Sequence, residues 1–304
     1  MRAVAALYQP HAGVRFSLLS WYLGDMPGDA RRIIEIGVSL AAERYAELGL
    51  TRLLPMDRVW VGVRSDNPGE FGGFHHRNQG YRHLQMGAVV TRYGDLSRPG
   101  RTPPELIAAD LLRAYAHDTL HYGSYREYRL LDGKVVRTRY GFNSRDTRGN
   151  TYSAPDPPGA ASTRNIGIVM EGATDREAAA ITRRALELAG VAEPPGHVEG
   201  FAWRDVTGRL TGDDIAALPP HPSGSQDVGV ERYLSAMGDY GSTVSARYGR
   251  FLAEFGDDRP DQLHDVIVRA VITGCRDELA AWLDEVCGTG AFPRLFRSPG
   301  YTGD

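Results

Sequence analysis

Two histidines stand four residues apart near the end of a predicted helix, in the stretch Ala-Tyr-Ala-His-Asp-Thr-Leu-His that ends at position 121. Residues at this spacing project from the same face of a helix, so His117 and His121 can present two imidazoles to one point. A helix offers two ligands to a single metal ion in this way. The pair alone is more typical of helix-end histidines that hydrogen bonds satisfy, so a metal site requires a third ligand.

A third candidate ligand occurs in the next predicted helix, within the stretch Met-Glu-Gly-Ala-Thr-Asp. Glu171, on a second helix facing the first, would complete a site of two histidines and one carboxylate with one open position. Asp175 follows one helical turn later on the same face. It is well placed to accept the remaining N–H of a ligating histidine, which fixes the tautomer and orientation of the ring.

The elements that must carry these residues follow from hydrophobic periodicity and turn residues. Pro103 and Pro104 open the helix that bears both histidines. The predicted elements of the first half are helices over 29–48 and 104–125, strands over 57–65 and 81–92, and a hairpin turning at Asp132 and Gly133. Beyond residue 230 the pattern is helical, which makes the fold class α+β.

The same pattern predicts three parts along the chain. Residues 1–28 are predicted to be irregular. Residues 29–165 are predicted to form an α+β subdomain that includes the helix with both histidines. Residues 166–304 form a mostly α-helical C-terminal subdomain that carries the third ligand.

His-Asp-x-x-His at 117–121, followed by Glu-Gly-x-Thr-Asp at 171–175, resembles the gluzincin zinc metallopeptidases, the thermolysin-like and aminopeptidase-like enzymes. In that family a His-Glu-x-x-His helix is followed by a helix with the third ligand in a Glu-x-x-x-Asp or Glu-Gly-x-Thr-Glu setting. The order of backing helix, strand, edge strand and active helix is also similar to a zincin N-terminal subdomain. The resemblance extends over residues 29–290 and implies a zincin-like fold. In such a fold residues 29–165 would contain a small mixed sheet, a backing helix and the active helix.

What the resemblance implies is a zinc-dependent hydrolase that cleaves a peptide or small amide bond. The two histidines and Glu171 would hold one Zn²⁺, with Asp175 as the hydrogen-bond partner of one histidine. The ion would polarise the scissile carbonyl and lower the pKa of its bound water. Tyr240 occupies roughly the place of the tyrosine that stabilises the oxyanion in aminopeptidase-like relatives, and Tyr248 competes for that role.

The chain departs from the family at the general base, where the family has glutamate and this sequence has Asp118. An aspartate keeps the carboxylate but is one methylene shorter, and a displacement of about 1 Å can cost roughly a hundredfold in rate. Asp118 is therefore either the base that takes a proton from water or a solvated helix residue. The second alternative describes a catalytically weak or inactive zincin-like protein that binds a peptide or protein partner.

Substrate contacts are expected upstream of the active helix. In the resembled family an extended substrate pairs with the edge strand, which corresponds here to the strand predicted over 81–92 with His83. Gly72 and Gly73 precede that strand and would allow another backbone to approach closely. A surface turn with solvated histidines is the simpler alternative for this segment.

Composition narrows the classes of partner. The 304 residues carry a net charge of -3, from 35 Lys+Arg against 38 Asp+Glu, which predicts neither a nucleic-acid partner nor an anionic membrane surface. The sequence contains no apolar run long enough to span a membrane, and the apolar run near the N-terminus is too short for a signal peptide. Cys275 and Cys287 are predicted to be small core residues in a reducing compartment, so the expected location is cytoplasmic.

Overall fold

The structure is a computed structural model, and it describes residues 15–64, 72–76, 82–86, 103–145, 153, 155–217, 234 and 237–296. Helices dominate these residues, and short strands accompany them, so the predicted α+β class is confirmed. No helix within the described ranges is long and apolar enough to cross a membrane.

The described helices include both of those predicted for the first half of the chain. They are α1 (Leu19–Asp25), α2 (Gly28–Glu47), α3 (Pro104–Gly123), α4 (Ile166–Ala189), α5 (His197–Val206), α6 (Gly212–Ala216), α7 (Ala246–Phe255), α8 (Pro260–Thr273), α9 (Asp277–Cys287) and α10 (Ala291–Phe296). A π-helical turn, Gly241–Ser245, leads directly into α7. The predicted backing helix corresponds to α2 and the predicted active helix to α3.

The strands form two sheets. The first contains β1 (Arg15–Leu18), β2 (Val59–Arg64), β3 (Gly72–His76) and β4 (Arg82–Met86) in the order β1-β2-β4-β3. In it β2 and β4 are parallel while the other pairs are antiparallel, so the predicted small mixed sheet is confirmed. The second sheet is antiparallel and contains β5 (Arg126–Leu131), β6 (Lys134–Tyr140) and β7 (Asn143–Ser144).

The hairpin prediction is also confirmed. Asp132 and Gly133 connect β5 to β6, and both have positive φ angles, of 50° and 73°. Two consecutive positive φ angles give the turn a twist that matches the twist of the two strands. This hairpin begins three residues after α3 ends and therefore stands beside the end of the helix that carries the histidines.

Three predictions differ from the structure. Residues 15–25, predicted to be irregular, form β1 and α1, because β1 pairs with β2 and Leu19 is buried. The strand predicted at the sheet edge corresponds to β4, which is bonded to β2 on one side and β3 on the other. Glycine-rich residues predicted to be a turn form β3, since pairing with β4 outweighs their weak strand propensity.

The cysteine prediction was also wrong. Cys275 and Cys287 are both free and exposed, because one follows the end of α8 and the other is the last residue of α9. Cys275 thus lies outside any helix, and Cys287 lies where a helix ends. The cysteines therefore give no support to a role in the core.

The described residues divide into two compact units that interleave along the chain. Unit 1 comprises Met1–Ala41, Leu54–Thr119 and Glu177–Gly241, and unit 2 comprises Ala42–Leu53, Leu120–Arg176 and Ser242–Asp304. Their limits fall inside α2, α3 and α4. The division into residues 1–28, 29–165 and 166–304 therefore stays a prediction.

Within unit 1, α2 supports α3 through a close approach at one glycine. A Cβ added to Gly37 would lie 2.8 Å from Leu112 Cγ, and Leu112 is itself fully buried on α3. One turn further along α3, the Tyr115 hydroxyl donates a 2.7 Å hydrogen bond to the Leu54 carbonyl. Burial raises the pKa of Tyr115 to about 12, so this hydroxyl keeps its proton at neutral pH.

Unit 2 has a core rich in aromatic side chains. Rings from α7 and α10 pack together with centroids 4.8–6.2 Å apart, and Phe142, which precedes β7, contacts the same group; the members are Phe142, Phe251, Phe255, Phe292 and Phe296. All five are buried. Because aromatic rings bury large areas, this group anchors the end of the second sheet to the C-terminal helices.

Gly37→Ala should destabilise the protein by about 1–2 kcal/mol. The added methyl group would overpack the contact with Leu112, and this penalty exceeds the gain in helix propensity from glycine to alanine. Gly249→Ala is the matched control, since Gly249 lies inside α7 and nothing stands within 4 Å of an added Cβ. That variant should be stabilised by up to about 1 kcal/mol. Urea unfolding measures both, and a stabilised Gly37→Ala would contradict the close packing of α2 on α3.

Candidate metal centre

α3 presents both histidines from its last two turns. The N-terminal part of this helix is almost entirely buried, with Leu106, Leu111 and Leu112 at no more than 1% exposure. His117 and His121 are only partly buried. The apolar part of α3 thus fixes the helix, and its final turns bring two imidazoles to the surface of the core.

α4 presents Glu171 from its second turn. The helix begins where the Asn165 side chain accepts a hydrogen bond from the Ile168 N–H, as a capping residue does. Ser153 accepts from the Ile166 N–H at 2.6 Å and ties the preceding loop to the same end. Glu171 remains about one-third exposed, so its carboxylate is accessible.

Gly172, next to Glu171, allows α4 and the Tyr248 side chain of α7 to pack closely together. A Cβ at this position would lie 2.5 Å from Tyr248 Cγ, so only glycine allows the Tyr248 ring to lie directly on the helix backbone. Tyr248 is buried and its hydroxyl lies 2.7 Å from Nδ1 of buried His264. This hydrogen bond favours a packing role for Tyr248 over the alternative oxyanion role.

The three predicted ligands come together in the structure. One donor atom from each of His117, His121 and Glu171 lies within 4.8 Å of the donor atoms of the other two. His121 Nε2 lies 3.2 Å from Glu171 Oε2, so these two donors already face each other. Two imidazole nitrogens and one carboxylate oxygen could hold a metal ion.

The other ring nitrogen of His121 faces a residue that the sequence did not indicate. Nδ1 lies 2.5 Å from the hydroxyl oxygen of Tyr140, the last residue of β6, and the two rings are stacked. Burial, and to a smaller extent the negative charge of Glu171, raises the pKa of Tyr140. The phenol is therefore neutral at physiological pH.

Arg126 holds the end of α3 in place. Its guanidinium donates hydrogen bonds to the carbonyls of Tyr122 and Ser124, at 2.7 and 3.1 Å, and to the carbonyl of His121. The last carbonyls of a helix have no partner within the helix, and a cation there also opposes the helix dipole. Because Arg126 is the first residue of β5, these bonds also join the end of α3 to the hairpin.

The two predicted carboxylates beside the ligands are both buried, Asp118 on α3 and Asp175 on α4, each at 5% exposure. The burial of Asp118 contradicts the interpretation as a solvated helix residue. Asp175 lies one turn after Glu171, as expected. Nδ1 of His121 lies beside Tyr140. If Asp175 is the partner of a ligating histidine, as predicted, that histidine would therefore be His117.

Other predicted residues are less closely defined. Tyr240 is half-buried and stands immediately before the π-helical turn Gly241–Ser245; its oxyanion role stays a prediction. Gly72 and Gly73 lie on β3, the terminal strand of the described sheet. The backbone of His83 lies on β4, opposite His75 and Val59, and its side chain is outside what the structure describes. Since β4 is paired on both sides, the predicted substrate pairing would fall to β3.

Comparison with known proteins identifies no family for this chain. The sequence matches no protein-family model and no curated protein significantly, and the structure matches no solved structure significantly. The ligand group is therefore supported by the positions of its own three residues.

Purified protein should bind about one equivalent of zinc. His121→Ala or Glu171→Gln should lower the zinc affinity by more than about a hundredfold, which is the largest effect typical of outer partners, the residues that hydrogen-bond to a ligand without touching the metal. Removing a direct ligand costs more than removing a residue that only supports one. His197→Ala, an exposed histidine on α5, is the matched control and should bind as the wild type does. Elemental analysis and competition with a chromophoric chelator measure both quantities. Equal affinity in all four proteins would exclude this metal centre.

Proposed function

We propose that this chain is a zinc-dependent hydrolase of the gluzincin type that cleaves a peptide or small amide bond. The observation that carries the proposal is the position of Glu171. It is fifty positions beyond His121 in the sequence, and its carboxylate lies 3.2 Å from that histidine. A zincin-like arrangement requires this approach of the second helix to the first, whereas two incidental histidines on α3 do not.

The donor set leaves room for chemistry as well as binding. Three protein ligands are typical of catalytic zinc sites, whereas structural sites close the coordination sphere with four. When bound, zinc would supply Lewis-acid polarisation of a carbonyl and a water molecule of lowered pKa. The partial exposure of Glu171 and both histidines agrees with an accessible site.

The chain's own residues would then move one proton and stabilise one charge. The Asp118 carboxylate follows His117 directly and would accept a proton from the attacking water. Its burial favours a carboxylate held in a fixed position over one that moves in solvent. The Tyr240 hydroxyl would donate a hydrogen bond to the oxygen that gains negative charge.

A second function is favoured by one specific feature, the missing methylene of Asp118. If the shorter side chain does not reach the water, the same fold would bind zinc and a peptide or protein partner without cleaving it. Both functions share the ligands His117, His121 and Glu171. They differ in whether the wild-type protein cleaves the peptide that it binds.

Asp118→Asn should abolish zinc-dependent cleavage of a peptide library, with a loss of about 10²–10⁴-fold, and should leave zinc binding intact. The substitution keeps the shape of the side chain and removes only the proton acceptor. Asp110→Asn, a buried carboxylate two turns earlier on α3, controls for a loss of stability and should retain activity. Mass spectrometry of the cleaved library together with zinc competition measures both properties.

Asp118→Glu separates the two functions. If the wild type is inactive and Asp118→Glu cleaves peptides, the second function is correct and the missing methylene is the cause. If the wild type cleaves and Asp118→Asn retains that activity, the hydrolase proposal with Asp118 as base is wrong.

A further inference from the structure

Tyr140 has no assigned role, although it meets one of the proposed ligands. Its hydroxyl oxygen lies 2.5 Å from His121 Nδ1, while Nε2 of the same ring faces Glu171 at 3.2 Å. The two nitrogens of one imidazole therefore have separate partners. In a neutral imidazole only one of the two nitrogens carries a proton, and the partners decide which one.

The direction of the hydrogen bond between His121 and Tyr140 follows from what Nε2 binds. A carboxylate accepts hydrogen bonds, so in the metal-free chain Nε2–H donates to Glu171 and Nδ1 accepts from the phenol. A metal ion bound to Nε2 takes the place of that proton, and Nδ1–H then donates to the phenol oxygen. A phenol hydroxyl serves in both states, because it can donate and accept.

We propose that Tyr140 is a positioning residue that accepts a hydrogen bond from Nδ1–H of His121 when Nε2 binds the metal ion. This bond fixes the orientation of the ring, with Nε2 on the side where Glu171 lies. This inference rests on the proposed function, because it assigns the metal-binding atom of one of its ligands. Outer partners of this kind typically change metal affinity by about 10–100-fold.

The phenol is held firmly enough to orient another ring. The Arg126 and Arg137 guanidinium groups lie 5.4 and 4.6 Å from the centre of the Tyr140 ring, within the range of cation–π contacts. Arg126 also binds the last carbonyls of α3, including that of His121. One arginine therefore restrains both the backbone of His121 and the residue that orients its ring.

The chain offers a matched control for this tyrosine. Tyr248 forms a hydrogen bond of the same kind with Nδ1 of His264, at 2.7 Å, and His264 is outside the ligand group. Both tyrosines lie in unit 2. Tyr140→Phe and Tyr248→Phe each remove one phenol oxygen from one histidine, and thermal unfolding would confirm that both variants fold.

Zinc affinity by chelator competition is the first measurement. We expect Tyr140→Phe to bind zinc about 10–100-fold more weakly than the wild type and Tyr248→Phe to bind as tightly as the wild type. Equal zinc affinity in Tyr140→Phe and the wild type would overturn the proposal. A similar loss of affinity in both variants would also overturn it, since it would indicate a general effect of lost packing.

Proton NMR of the His121 ring in zinc-loaded protein is the second measurement. We expect an Nδ1–H signal that exchanges slowly with water in the wild type, because the phenol oxygen accepts its hydrogen bond. The signal should exchange faster in Tyr140→Phe and should be unchanged in Tyr248→Phe. Equal exchange of the Nδ1–H proton in Tyr140→Phe and the wild type would overturn the proposal.

The outcomes separate this inference from the proposed function. If zinc binding depends on Tyr140 but the protein cleaves nothing, the hydrolase proposal is wrong and the role of Tyr140 is supported. Cleavage and zinc binding that are unchanged in Tyr140→Phe would support the hydrolase and overturn the role of Tyr140. A wild type that binds no zinc would overturn both.

Discussion

Arg126 donates hydrogen bonds to three carbonyls at the end of α3, and the final turn that carries His121 depends on them. A helix end leaves carbonyl groups without partners, and the hydrogen bonds at this end are partly buried. A guanidinium satisfies several of these groups at once because its donors form a rigid fork. The same side chain lies over Tyr140, so the end of α3, the hairpin and the outer partner of His121 are restrained together.

A second constraint comes from small residues at helix contacts. Gly37 allows α2 to support α3 from one side, and Gly172 allows the Tyr248 ring to lie on α4 beside Glu171. In both places a methyl group would displace a helix that carries a ligand. The spacing between donors is therefore set by packing at a distance from the donors themselves, and close-packed interiors transmit such shifts.

Much of this arrangement could be predicted from the sequence, because local signals were strong. The period of α2, the proline start of α3 and the Asp-Gly turn each follow from residues within one element. The ligand group was predictable because its members have recognisable spacings: four residues within one helix, and a carboxylate at the start of the next. The burial of Asp118 could not be seen, since a single aspartate after a histidine fits either face of a helix.

The parts that could not be predicted depend on pairing between distant segments. β3 contains two glycines and has little strand propensity, and it exists because β4 lies beside it. Tyr140 is one of fifteen tyrosines, and nothing near it in the sequence indicates that it meets His121 across a hairpin. The resemblance to a family directs attention to its motifs at 117–121 and 171–175, and Tyr140 lies outside both.

The ligands also have a consequence for the chain between them. His121 and Glu171 stand at the two ends of a segment that contains the hairpin and β7. An ion bound to both would close this segment into a loop, as a disulfide bond does, and would reduce the freedom of the unfolded chain. The metal would then act as a cross-link, so the second sheet would resist unfolding more strongly with the ion bound than without it.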